Sequence, residues 1–285
     1  MRKMELKDLL KIKRKKPLDL CLFALTWICI AATATIMLFI IGYVLVRGVP
    51  YITPSLFALE FNMENQSLFP ALIGTLMIVG LSLILAVPLG VFSAIYLQEY
   101  AKRGSKFVKV VRITTETLAG IPSIVYGLFG FLFFGGVLGW GLSLMSGTFT
   151  VSIMILPLIM RTTEESIKAV PDTFREGSFG LGAGRLRTVV RIVLPSAMPG
   201  ILAGIILAIG RIVGETAAII FTLGNVARIP NSLFDTGRTL SAHMYQLARE
   251  GTHPGQAHAT AAVLLIVVIL INALSSRIAR LIKAS

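Results

Sequence analysis

Two charged residues, Arg211 and Glu215, stand inside an otherwise apolar stretch of the sequence. Their spacing of four residues predicts that both side chains lie on one face of a helix, near its middle. A guanidinium stays charged at physiological pH and can bind two oxygens of an oxyanion at once. Arg211 therefore indicates a path for an anion, with Glu215 holding the guanidinium. The alternative is a neutral ion pair that only fixes helix packing.

The other polar residues offer no arrangement for catalysis or metal binding. No nucleophile stands beside a base, so we expect no catalytic residue and no enzymatic activity. The spacing of His243, His253 and His258 does not suit a metal site, and we expect none. Glu116 follows Arg112 by four residues, which predicts a local ion pair at a helix end.

The composition excludes a soluble protein. Of the 285 residues, 55% are hydrophobic and 14% are charged, whereas about 25% of the residues of a soluble domain are charged. The net charge of +13 must therefore be concentrated in a few segments. We attribute this basic excess to membrane topology and membrane lipid, and we expect no nucleic-acid binding.

Stretches without charged residues predict six transmembrane helices. A span needs about 20 apolar residues, and residues 117–160 would form a helix about twice as long as the membrane is thick. This stretch must fold back, and its Gly-rich residues 135–141 predict the turn. We therefore expect an all-α integral membrane protein with spans at about residues 20–46, 68–97, 113–134, 147–163, 195–223 and 259–276.

The Lys and Arg residues are distributed unevenly between the two sides of these spans. Of 27 such residues, 22 fall on the side that carries both termini and four on the other. Because basic residues stay in the cytoplasm in short loops, we expect both termini there. Residues 1–17 are predicted to be a basic cytoplasmic segment at the lipid surface, and residues 18–285 the transmembrane domain.

One large cytoplasmic loop, at about residues 164–195, lies between predicted spans. Pro171 ends the preceding helix, and residue 172 or 173 can cap a short helix that runs to Phe179. Glycines weaken this segment, so such a helix would need a partner to hold it. On composition alone, an ordinary connecting loop is an equal alternative.

The same loop resembles the EAA loop of ABC importer permeases, in which a Glu, two small residues and a Gly precede an I-x-L-P sequence. The matching residues are Glu176, Gly177, Ser178, Gly182, Ile192, Leu194 and Pro195. Gly177 and Ser178 replace the two alanines of the family pattern, which keeps both residues small but weakens the helix. The resemblance implies that this loop couples the chain to an ATPase.

Three further segments resemble the phosphate-specific permeases, and among these the A-type (PstA-like) subunits. They are residues 117–128 in the third span, 210–217 in the fifth and 243–245 before the last. The resemblance implies a MetI-like permease fold in a bacterial or archaeal plasma (inner) membrane. It also implies the partners, which are a C-type permease that shares the path, two copies of a cytoplasmic ATPase subunit and an extracytoplasmic phosphate-binding protein.

The sequence has no ATP-binding motif of its own. It contains no Gly-Lys pair and so no P-loop, and we expect no cofactor in this chain and ATP bound by the partner ATPase. Phe174 and Phe179 could enter a groove of that ATPase or pack against the chain's own spans. The resemblance thus implies an ATP-driven importer of inorganic phosphate, in which Arg211 meets the anion.

Other functions stay open from the sequence. A permease for molybdate, sulfate or a phosphonate could use the same arginine. A stand-alone carrier is less compatible with a weak docking helix. The glycines of the fifth span allow close approach of another helix, which suits either a sliding interface or static packing; they are Gly200, Gly204, Gly210 and Gly214.

Overall fold

The computed structural model describes residues 17–102 and 104–284, which fold into helices without any β-strand. The helices are α1 (Pro17–Gly48), α2 (Phe69–Ile95), α3 (Lys106–Ala119), α4 (Ser123–Gly130), α5 (Leu144–Lys168), α6 (Asp172–Gly180), α7 (Arg185–Val213), α8 (Ala217–Thr222), α9 (Leu240–Glu250) and α10 (Pro254–Ala284). Short π-helical turns extend α2 as Tyr96–Tyr100 and α4 as Phe131–Val137, and another lies within α7 at Val189–Val193.

Five of the described helices, α1, α2, α5, α7 and α10, are long and apolar enough to cross a membrane. The third predicted span is instead a pair, α3 and α4 with its π turn, bent by 100°. Pro122 explains the break, because proline lacks an N–H group and disfavours helical conformation in the residue before it. The prediction of one continuous third helix is therefore wrong, and the number of crossings is six if the bent pair is one span.

The fifth predicted span is interrupted as well. The helix α7 ends at Val213 and α8 begins at Ala217, so residues 214–216 break the helix that we expected to reach Leu223. Gly214 follows directly after Val213, and the low helix propensity of glycine disfavours continuation of the helix α7.

The core lies where α2, α5, α7 and α8 meet. Its fully buried side chains include Ile78, Val151, Ile155, Ile212 and Leu223. Two glycines bring α7 close to α5, because a Cβ on Gly200 would lie 2.9 Å from Ser166 Cβ, and one on Gly204 would overlap Thr162. The predicted close approach therefore occurs within the chain for these two glycines, whereas Gly210 has no such neighbour.

Contacts divide the chain into two units, Met1–Arg47 and Gly48–Ser285. The first unit contains nearly all of α1, which confirms the first predicted span as a single helix. Residues 1–16 lie outside the described residues, so the boundary that we placed after residue 17 stays a prediction.

Candidate substrate path and docking helix

The two interrupted helices meet inside the molecule. The helices α4 and α8, each of which follows a break, pack against each other. Two glycines of α4 make this packing feasible. A Cβ on Gly127 would lie 2.8 Å from Ala218 Cα, and one on Gly130 would lie 2.7 Å from Thr222 Cγ2. The segments around residues 117–128 and 210–217, which lie far apart in sequence, are therefore neighbours in space.

Arg211 and Glu215 do not share a helix, contrary to the prediction. Arg211 lies in the last turn of α7, and Glu215 lies beyond the end of that helix. The Ala218 N–H group donates a hydrogen bond of 3.0 Å to Glu215 Oε1. Among the ion pairs of the described residues, none joins Arg211 to Glu215. A spacing of four residues brings two side chains together only where the helix continues through both.

Each of these charges instead stands at a helix end of opposite partial charge. The last carbonyl groups of α7 favour the cation of Arg211, and the first N–H groups of α8 favour the anion of Glu215. The backbone of Glu215 is held as well, because Ser241 Oγ donates a hydrogen bond of 2.6 Å to its carbonyl oxygen. Glu215 is buried and fixes the break, whereas Arg211 is exposed.

The exposed Arg211 side chain lines a cavity of about 510 Å³ between α5, α7 and α10. Asn272 supplies the other polar side chain of the lining, and the remaining lining residues are Leu158, Ala203, Ile206, Leu207 and Gly210. A cation beside apolar walls attracts an oxyanion more strongly than a cation in bulk water does. The arrangement is therefore suited to transient contact with an anion.

A buried polar cluster fixes the segment between α8 and α9. Arg238 Nε and Nη2 donate to the Asn225 carbonyl oxygen at 3.1 and 2.6 Å, and Arg238 Nη1 donates to His243 Nδ1 at 2.9 Å. Because arginine can only donate, His243 carries its proton on Nε2, which lies 3.3 Å from the Gln66 carbonyl oxygen. Burial and the charge of Arg238 lower the pKa of His243 to about 4. This histidine is therefore neutral at physiological pH.

The short helix predicted after Pro171 is present as α6. Phe174 and Phe179 are 51% and 47% exposed, and Leu181, just after the helix, is 91% exposed. About half of each phenylalanine side chain is therefore free for a partner, while Phe179 also lines a cavity with Glu99 at the end of the second span, so both alternatives for these residues stay open. We call the exposed apolar residues Phe174, Phe179 and Leu181 the docking surface.

The other residues of the EAA-like pattern take up distinct positions around α6. Ser178 is buried, and its hydroxyl lies 2.8 Å from Thr188 Oγ1, whereas Glu176 and Gly177 are exposed. Gly182 turns the chain with a φ of +81°, a conformation that favours glycine. Three residues lie within α7 and not in a loop, namely Ile192, Leu194 and Pro195.

A family model for the inner membrane component of binding-protein-dependent transport systems matches residues 86–285. The chain belongs to this family. The matched part contains both helix breaks, Arg211 and the docking surface, so the resemblance that the EAA-like loop indicated is confirmed.

Two curated permeases are similar over most of this chain. YqgI of Bacillus subtilis (strain 168), a probable ABC transporter permease protein, is 32% identical over 268 residues, which cover 86% of this permease and 89% of the relative. PstA 1 of Mycobacterium tuberculosis (strain ATCC 25618 / H37Rv), a phosphate transport system permease protein, is 39% identical over 207 residues, which cover 72% of this permease and 67% of the relative. The resemblance to A-type permeases is thereby confirmed.

The fold of this permease also resembles that of a solved ABC transporter. The crystal structure of a bacterial alginate ABC transporter, in complex with an alginate pentasaccharide-bound periplasmic protein, contains a chain that matches with a TM-score of 0.68. The match is 18% identical in sequence and covers 93% of this permease and 96% of that chain. It confirms the ABC importer permease fold that we expected.

The sequence did not reveal two ion pairs that join separate helices of this permease. Arg112 pairs with Glu164 of α5 and not with Glu116, so the predicted local pair is wrong. Arg175 of α6 pairs with Glu99 in the π turn after α2, at 2.7 Å between Nη2 and Oε1. In the sequence, Glu99 is the first charged residue after the long apolar stretch of the second span, and this position could have indicated a pairing role for it.

Proposed function

We propose that this permease is the A-type subunit of an ATP-driven importer of inorganic phosphate. Arg211 carries the proposal, because it is an exposed guanidinium on an otherwise largely apolar cavity of a permease related to PstA 1. A guanidinium can bind two phosphate oxygens at once and remains charged. In this proposal Arg211 contacts phosphate during its passage, and Glu215 shapes the break without neutralising Arg211.

The proposed importer takes its energy from a separate ATPase. Two copies of that ATPase subunit bind ATP in the cytoplasm, and this chain holds no cofactor. The docking surface enters a groove of one copy, in the manner of an amphipathic helix. A C-type permease shares the path, and an extracytoplasmic phosphate-binding protein delivers the anion. The crystallised alginate transporter, which was solved with a periplasmic protein, supports an assembly of this kind.

The basic residues support one orientation in the membrane. Lys168, Arg175, Arg185, Arg187 and Arg191 surround the docking surface in sequence. Because such residues stay on the cytoplasmic side, we place α6 and both termini in the cytoplasm of a bacterium or archaeon and the spans in its plasma membrane.

Uptake of labelled inorganic phosphate into proteoliposomes tests the proposal. Omission of the ATPase, the C-type permease or the binding protein should each abolish uptake, and excess sulfate, molybdate or phosphonate should not compete. Uptake by this chain alone would identify a stand-alone carrier, and stronger competition by another oxyanion would identify a different substrate.

A pair of arginine variants tests the role of Arg211. Arg211→Gln should assemble with the ATPase and fail to carry phosphate. Arg249→Gln is a matched control, because Arg249 is also an exposed arginine in the last turn of a helix, α9, and should retain uptake. Normal uptake by assembled Arg211→Gln would remove Arg211 from the path.

A further inference from the structure

The Arg175 side chain binds three separate parts of the chain. Its Nε and Nη2 donate to Glu99 Oε1 at 3.1 and 2.7 Å, which reaches the turn after α2. Its Nη2 and Nη1 also donate to the carbonyl oxygens of Ile167 and Val170 at 3.0 and 2.8 Å, which reaches the end of α5. Nη1 donates in addition to Asp172 within α6, at 3.1 Å. These five contacts equal the five N–H donors of a guanidinium.

The Glu99–Arg175 pair is largely protected from solvent, unlike the other described ion pairs. The two side chains are 8% and 14% exposed, whereas those of the Arg161–Glu165 pair are 63% or more exposed. Exposed ion pairs of that kind contribute little to the stability of the fold, because solvent screens their charges. A buried pair with saturated hydrogen bonds holds its elements in one arrangement, and removal of one partner leaves an uncompensated charge.

The pair also lies next to the docking surface. Glu99, Arg175 and Phe179 line one cavity of about 380 Å³, together with Asp172 and Arg185. A partner that binds Phe179 therefore contacts the helix α6, whose Arg175 is hydrogen-bonded to Glu99 at the end of α2. Among the described residues, another polar side-chain contact of α6, between Ser178 and Thr188, reaches α7 and not α2.

We propose that the Glu99–Arg175 pair is a positioning device that transmits movement of α6 to α2 and thereby couples ATP hydrolysis to transport. This inference rests on the proposed function, because it requires an ATPase that engages the docking surface. Arg175 and Glu99 act through the helices that they join and do not touch the substrate.

Simultaneous measurement of ATP hydrolysis and phosphate uptake tests this proposal in proteoliposomes that contain the complete transporter. The variants are Glu99→Gln, which removes the acceptor charge, and Arg175→Lys, which keeps a cation but cannot bind three elements at once. Arg161→Gln is the control, because it breaks an exposed pair at the same end of α5. Capture of the ATPase by each solubilised variant is measured in parallel.

We expect the ATPase to be captured normally by both variants, while phosphate uptake per ATP falls by at least about fivefold, the lower end of coupling between linked sites. Arg161→Gln should match the unmodified protein. An unchanged ratio of uptake to hydrolysis in Arg175→Lys would overturn the proposal, as would uptake that falls only in proportion to the amount of assembled complex. If Glu99→Gln does not fold, the result for Arg175→Lys alone tests the proposal.

Deuterium exchange of the chain separates failure of this inference from failure of the proposed function. Glu99→Gln should speed exchange in residues 172–180 without changing α7. If the unmodified chain captures no ATPase, the proposed function is wrong. Unchanged exchange of residues 172–180 in Glu99→Gln would show that Glu99 does not hold α6. This result would overturn the positioning role whether or not the ATPase is captured.

Discussion

The Glu215 carboxylate accepts a hydrogen bond from the Ala218 N–H group of α8, while the Arg211 guanidinium, four residues earlier, stays exposed at the end of α7. Glu215 is therefore bound through its side chain and, by way of Ser241, through its backbone. The two charges belong to different helix ends, and none of the ion pairs of the described residues joins them, so Glu215 keeps its contacts when Arg211 is replaced.

Arg211→Gln and Glu215→Gln should have independent effects. Arg211→Gln loses uptake because an amide lacks the charged fork, and Glu215→Gln keeps most uptake because its amide oxygen still accepts from Ala218. In uptake assays normalised to assembled complex, the double variant should take up as little phosphate as Arg211→Gln alone. Recovery of uptake in the double variant would restore the ion-pair model.

Gly127→Ala should destabilise the contact between α4 and α8. The new Cβ would lie 2.8 Å from Ala218 Cα, and such overpacking costs about 1–3 kcal/mol. Gly80→Ala is the control, because Gly80 lies inside α2 with no atom within 4 Å of an added Cβ. Thermal unfolding in detergent should occur at lower temperature for Gly127→Ala only. Equal unfolding temperatures would contradict close packing of the two helices.

Gly182→Ala should weaken capture of the ATPase. The φ of +81° at Gly182 strains an alanine by about 1–2 kcal/mol and so displaces the neighbouring Leu181 of the docking surface. Gly184→Ala should have no such effect, because φ at Gly184 is −75° and no atom lies near an added Cβ. Capture by solubilised permease measures the difference, and equal capture by both variants would argue against a role of the turn.

Acid should loosen the segment between α8 and α9 through His243. The pKa of His243 is lowered from 6.5 to about 4 by burial and by Arg238, and the hydrogen bond to the Gln66 carbonyl group and the charge of Glu250 oppose this shift. The unfolded segment therefore binds a proton that the folded one excludes, so this stabilisation is complete above pH 6.5 and decreases as the pH falls towards 4. Deuterium exchange of residues 224–250 should accelerate over this range.

His243→Gln is the matched variant for the acid effect. A glutamine can accept from Arg238 and donate to the Gln66 carbonyl group, but it does not titrate. Its exchange should therefore depend less on pH between 6.5 and 4 than that of the unmodified protein. The same acceleration in both proteins would exclude His243 as the cause.

The spans could be predicted from sequence because the membrane requires long apolar stretches, a property of neighbouring residues. The first break could have been anticipated from Pro122, whose effect on the preceding residue is local. The second break has a local contribution from Gly214, but it is also held by the hydrogen bond from Ser241 to the Glu215 carbonyl oxygen, across 26 residues, which no local pattern indicates. Likewise Glu99 and Arg175 are 76 residues apart, and no periodic pattern relates residues at that separation.

The close packing of α5 and α7 has a mechanical consequence. At Gly200 and Gly204 there is no room for a side chain beside Ser166 and Thr162, so neither helix can slide along the other without a collision. The two helices that flank α6 are therefore held in one register, so a force that the proposed ATPase applies to the docking surface would act on both helices together.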